Sequence, residues 1–136
     1  MLELTEDAYT VIVEHARECE PREACGILGG TYGKQRSFAD VVYPCKNASP
    51  VPEQQYEIAP EVQFELITEI EQRDRDIVGF YHSHPRGPDQ PSETDEKLAT
   101  WDGYSYVIAI LDGNNVDVGS WRWNGERFER EEVNVG

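Results

Sequence analysis

Ile77-Val78-Gly79-Phe80-Tyr81-His82-Ser83-His84-Pro85, followed further on by Ser92-Glu93-Thr94-Asp95, is the stretch on which the reading of this chain turns. Ile77 to His82 is a short apolar run of the kind that forms a buried strand. Ser83 to Pro91 holds three prolines and a glycine, so no regular element continues through it. Glu93 to Trp101 predicts a short helix closed by Gly103 at its C′ position. Two histidines two apart on a strand project to the same face, so His82 and His84 can reach one ion. Asp95, at the start of the next helix, can complete a set of three protein ligands. Three nitrogen and oxygen ligands leave a fourth position open, the layout of a catalytic zinc rather than a structural one. Each piece also has a plainer reading. His-x-His occurs by chance on surface strands, and Ser92 to Asp95 matches the Ser-x-x-Asp pattern of a helix capping box.

Working outward, residues 5 to 19 predict a helix. Thr5 is a suitable N-cap, Glu6 and Asp7 suit the positive end of the dipole, and Ala8, Val11, Ile12, His15, Ala16 and Cys19 form one stripe. His15 on that stripe reads as a packed core residue and not as a ligand. Ala24 to Gly30 predicts a buried strand, with Ser37 to Cys45 as its partner across a turn at Tyr32-Gly33-Lys34. Asn47 to Pro52 is loop, and Gln54 to Ile58 a brief strand within a mobile insertion. Pro60 suits the first position of a helix that faces Val62, Leu66, Ile67 and Ile70 inward and stops near Arg73 to Asp76. Tyr104 to Leu111, Val116 to Trp123 and Glu126 to Glu131 predict a closing meander with hairpin turns at Asp112-Gly113 and Asn124-Gly125. The order α-β-β-α-β-α-β-β-β implies an α/β (α+β) fold, a mixed sheet flanked by helices, in one domain spanning residues 1–136.

The 136 residues carry 27 acidic and 12 basic side chains, a formal net charge of −15. Such a surface is a poor partner for nucleic acid, whose binding draws on Lys and Arg to neutralise phosphates. The acids are dispersed and lysine is confined to Lys34, Lys46 and Lys97, a composition like that of proteins from salt-loving microbes, where salt screens self-repulsion. No apolar run approaches the length of a membrane span, and the opening Met1-Leu2-Glu3-Leu4 is not a signal peptide; a cytoplasmic protein with no membrane partner is expected. Cys19, Cys25 and Cys45 have no metal-binding spacing and are expected as structural thiols.

Taken together, His82-Ser83-His84, seven residues that begin with Pro85, Ser92, two residues and Asp95 resemble the signature of the JAMM (MPN+) zinc metallopeptidases. That family also places a glutamate just before its first apolar strand, where this chain has Pro21-Arg22-Glu23-Ala24-Cys25-Gly26-Ile27-Leu28-Gly29-Gly30. The resemblance runs from the first helix to Leu111 and implies an MPN fold, topologically similar to the cytidine-deaminase-like architecture. It implies Zn²⁺ on His82, His84 and Asp95, with Glu23 as general base and then acid for the attacking zinc-bound water. It gives Ser92 the role of hydrogen-bond donor to the tetrahedral oxyanion. The substrate class it implies is a ubiquitin-like modifier, cut after its C-terminal glycine, with the closest likeness to haloarchaeal enzymes that remove such modifiers. Asn47 to Pro60 would then be the family's first insertion, against which the modifier's tail could add as a strand. Three alternatives stay open at this point: a protease acting on a ubiquitin-fold sulfur carrier, a metal-free MPN scaffold, and a zinc deaminase. The scaffold lacks the ligands that stand here, and the deaminase needs a Pro-Cys-x-x-Cys pair that this chain lacks.

Overall fold

The structure, a computed structural model, describes residues 1–136. Its elements are β1 (Leu2–Leu4), α1 (Glu6–Cys19), β2 (Cys25–Thr31), β3 (Ser37–Cys45), α2 (Pro60–Gln72), β4 (Asp76–His84), α3 (Glu93–Leu98), β5 (Ser105–Asp112), β6 (Asn115–Trp123), β7 (Phe128–Glu131) and β8 (Val133–Val135). The strands form one mixed sheet of eight in the order β7-β6-β5-β4-β2-β3-β1-β8. This is the helix-flanked mixed sheet that the sequence implies.

β4 sits at the centre, antiparallel to β2 and parallel to β5, and is buried from Ile77 to His84. Gly79 allows this: a Cβ there would lie 1.9 Å from the Ser105 carbonyl oxygen, so a side chain would push β5 away. On one face α1 packs Ile12 and Ala16 against Leu28, Val78, Tyr81 and Val107. On the other face, Ile70 of α2 and Ala99 after α3 close over Cys25, Ile27, Ile77 and Phe80. Ile77 and Phe80 share a face although three residues apart, because Val78 is a bulge residue: Leu28 pairs with Gly79 but Gly29 pairs with Ile77.

α1 starts as its sequence predicts, with the Thr5 hydroxyl oxygen accepting the Ala8 N–H at 3.0 Å. Its stripe faces the sheet, and half-buried His15 bonds through Nδ1 to the Tyr81 hydroxyl at 2.8 Å. Several boundaries differ. β1 and β8, three residues each, are too short to show a period. β4 runs two residues past its predicted end at His82, so His84 as well as His82 lies inside the strand. α3 stops at Leu98 with Ala99 as its C-cap, and Gly103 (φ 84°) instead turns the chain into β5, donating its N–H to the Trp123 carbonyl. Residues 54–58 form no strand, and Val62 on α2 is exposed. β7 starts at Phe128 because Asn124 Oδ1 caps the N–H groups of Glu126 and Arg127, holding those residues in the turn.

The sheet's two ends are fastened through Glu131. Its buried carboxylate accepts from Ser105 Oγ (2.6 Å), Ser120 Oγ (2.7 Å) and Arg122 Nε (2.9 Å), and pairs with the Met1 amine at 2.9 Å. Burial alone would raise the Glu131 pKa, but these donors outweigh it and hold the carboxyl below its usual range. A depressed folded-state pKa contributes stability above the unfolded carboxylate's value and loses it as pH falls through the folded one. Glu131→Gln is expected to cost about 3 kcal/mol at pH 7, since it leaves Arg122 and the amine without their counter-charge. Urea unfolding from pH 7 down to pH 3 should show the gap between variant and parent shrinking with acid.

Candidate active site

The period of β4 puts Phe80, His82 and His84 on the face that α3 covers. α3 follows at once, and Asp95 at its N3 position points back at the two imidazoles. His82 Nε2 lies 3.2 Å from Asp95 Oδ1, His84 Nε2 lies 3.1 Å from Asp95 Oδ2, and the two Nε2 atoms are 3.2 Å apart. All three residues are buried, with exposures of 2%, 4% and 6%. Their ligand atoms lie within 4.8 Å of one another.

This donor set fits a metal ion. His84 Nδ1 is 2.8 Å from the Pro88 carbonyl oxygen, which requires its proton there and leaves the Nε2 lone pair facing the cluster. Two imidazole nitrogens and a carboxylate aimed at one point are lone-pair donors that repel unless a proton or a cation lies between them. Burial pulls the His82 pKa down, so its neutral, ligating form is favoured. At Asp95 burial works the other way, yet the two neighbouring imidazoles and the hydrogen bond from Ser92 N–H hold the carboxyl well below the carboxylate range. The side chain therefore stays an anion.

Asp95 is a helix cap as well. The Ser92 hydroxyl oxygen accepts the Asp95 N–H at 3.1 Å, and Asp95 Oδ2 accepts the Ser92 N–H at 2.9 Å, a complete capping box. The two readings of Asp95 are thus one structure: the cap holds the carboxylate where the histidines converge. Ser92 accepts through its oxygen, and its own O–H has no acceptor in the protein.

Glu23 stands at the mouth of β2, buried at 6% exposure, and its Oε1 has no hydrogen-bond partner. Burial raises its pKa to about 7, with His84 lowering it and Asp95 raising it further, so the carboxyl lies within electrostatic reach of both. Two side chains other than the candidate ligands place it. Ser83, between the histidines, faces the opposite way; its Oγ accepts the Ala24 N–H at 2.7 Å while its N–H donates to the Ala24 carbonyl. Asn47 donates to the Glu23 carbonyl at 3.0 Å, and the Glu23 N–H donates to Pro52 O at 2.8 Å. The segment after β3 is therefore tied to the backbone of Glu23. Tyr56 from that segment also lies flat on His82. Ser83 had one local signal, a small polar residue on the face away from the imidazoles. Asn47 had another in its Asx turn to the Ser49 N–H. Tyr56 had none.

Comparison with known proteins places the whole chain, and not its individual side chains, in a family. Residues 5–124 match the family described as prokaryotic homologs of the JAB domain. The protein named desampylase from Haloferax volcanii is 37% identical over 138 aligned residues, covering 98% of this chain and 96% of that one. The CysO-cysteine peptidase of Mycobacterium tuberculosis is 33% identical over 136 residues, 99% of this chain and 91% of the other. A solved structure of a protein from Desulfitobacterium hafniense superposes with a TM-score of 0.90 at 29% identity, over 100% of this chain and 93% of that chain.

Ser83→Ala is expected to leave the buried Ala24 N–H unpaired and to destabilise the fold by about 1–3 kcal/mol in chemical denaturation. Ser83→Thr, which keeps the hydroxyl, tests whether the loss is the hydrogen bond or the packing.

Proposed function

This chain belongs to the family of prokaryotic JAB-domain proteins, and we propose that it is a zinc-dependent peptidase that hydrolyses the bond after the C-terminal glycine of a ubiquitin-like modifier. The observation that carries this reading is the convergence of His82, His84 and Asp95 beside the unpartnered carboxylate oxygen of Glu23. His82 Nε2, His84 Nε2 and the Asp95 carboxylate would hold the ion. When bound, zinc supplies Lewis acidity, polarising a carbonyl and making water acidic enough to react near neutrality.

The chain's own side chains supply the rest. Glu23 Oε1, uncommitted to any protein donor, takes the proton of the attacking water and returns it to the departing amine. A cation beside Glu23 lowers the pKa that burial raises, which keeps the base ionised. The free O–H of Ser92 donates to the developing oxyanion while its oxygen keeps the helix capped.

The substrate reading rests on the segment between β3 and α2. Glu57 turns its N–H to Asn47 Oδ1 (3.1 Å) and its carbonyl to the Ala48 N–H (2.8 Å). The peptide groups of Tyr56 and Ile58 make no hydrogen bond within the chain, so they offer an extended peptide the alternating donors and acceptors of strand addition. Beside them is a cavity of about 160 Å³ walled by Tyr56, Ile58, Phe80, Leu98, Trp101 and Tyr106, suited to an apolar side chain of the modifier's tail. A second reading, cleavage of a sulfur-carrier protein, is favoured by the CysO-cysteine peptidase relative and uses the same site. Incubation with a lysine-linked conjugate and with a carrier-cysteine adduct, side by side, separates the two.

Purified protein is expected to carry about one zinc per chain and to lose cleavage of such a conjugate when a chelator strips it. Cleavage that ignores the chelator contradicts the proposal. Glu23→Gln should keep the zinc and lower turnover by about 10²–10⁴. Ser92→Ala should lower turnover by about 10²–10³ while costing only about 1 kcal/mol of stability from the lost cap.

A further inference from the structure

The two histidines are held in unlike ways. His84 is fixed by the hydrogen bond from Nδ1 to Pro88 O, whereas Nδ1 of His82 is buried and has no partner in the chain. The torsion that orients an imidazole is broad, so a ring without such a bond is poorly defined by its own rotamer. What lies against the His82 ring is Tyr56, with centroids 4.4 Å apart and planes inclined by 21°, a stacked pair. His84, by contrast, meets His82 edge-on at 5.0 Å and 63°.

We propose that Tyr56 is a positioning residue for His82: its ring does by stacking what the Pro88 carbonyl does for His84 by hydrogen bonding. The inference rests on the metal reading given above. Tyr56 lies in no helix or strand, yet its place is set on both sides by Asn47. Asn47 Nδ2 donates to the carbonyl of Gln55 at 3.0 Å, and Asn47 Oδ1 accepts the N–H of Glu57 at 3.1 Å. The same amide donates to the Glu23 carbonyl. One asparagine thereby holds the segment that orients the metal ligand and the backbone of the base. The Tyr56 hydroxyl donates to no acceptor in the chain, so the ring alone carries the effect. The stacked ring also covers one face of His82 and keeps solvent from that ligand.

The test is a competition titration of zinc against a chromophoric chelator with the parent, Tyr56→Phe and Tyr56→Leu, paired with steady-state cleavage. Groups that orient metal ligands typically contribute 10–100-fold in metal affinity. Tyr56→Phe, which keeps the ring, should bind zinc as tightly as the parent, and Tyr56→Leu should bind zinc about tenfold more weakly with a lower kcat. A raised KM with unchanged zinc affinity would make Tyr56 a wall of the substrate cavity only and overturn the proposal. Parent protein with no zinc affinity would instead refute the metal reading itself. Should Tyr56→Leu fail to fold, proton NMR of the parent decides: the carbon-bound protons of His82 should be shifted upfield of those of His84 by the tyrosine ring current. Equal shifts would contradict the stacking role.

Discussion

The site depends on how β2 is pinned to β4. Cys25 pairs with His82 across that interface, and the Ser83 hydroxyl closes the end of the ladder on the Ala24 N–H. A side chain that alternates away from the two imidazoles thus fixes the strand carrying them against the residue next to Glu23. A slip of one residue would turn the histidines to the opposite face of the sheet and face Ser83 toward α3. The bulge at Val78 and the missing side chain at Gly79 are the local adjustments that let this register coexist with close packing of β5.

Side chains here carry more than one duty, and that economy explains why a domain of this size can hold such a site. Asp95 caps α3 and faces both histidines. Ser92 caps the same helix with its oxygen and keeps its proton to give. Asn47 completes an Asx turn, organises the segment after β3 and secures the Glu23 carbonyl. Each dual use removes a buried polar group from the unsatisfied set; Glu23 Oε1 and His82 Nδ1 remain without partners. Both belong to residues of the candidate site.

The long elements were legible in the sequence because their periodicity and caps agree: Thr5 and its acidic first turn for α1, Pro60 for α2, Asp112-Gly113 for the β5–β6 hairpin. The short edge strands β1 and β8 were not, since three residues hold no period and their pairing is wholly long-range. α3 ended early where a glycine suggested a later stop, because Gly103 serves the turn into β5. Around the site, strand spacing brought out His82 and His84, the family signature added Asp95 and Ser92 to them, and Glu23 came from the family pattern beside a buried strand. Ser83, Asn47 and Tyr56 lay outside that reach. Their partners are set by packing across 59, 24 and 26 positions of chain, which no local pattern records.

The acidic composition bears on this site as a field, since a surface with a formal charge of −15 favours cations near a buried anion such as Asp95. The most direct measurement of the central claim is anomalous diffraction at the zinc absorption edge from crystals of the zinc-loaded protein. The account predicts a single strong peak within bonding distance of His82 Nε2, His84 Nε2 and the Asp95 carboxylate. Zinc found only at other surface carboxylates, with no density between these three, would contradict it.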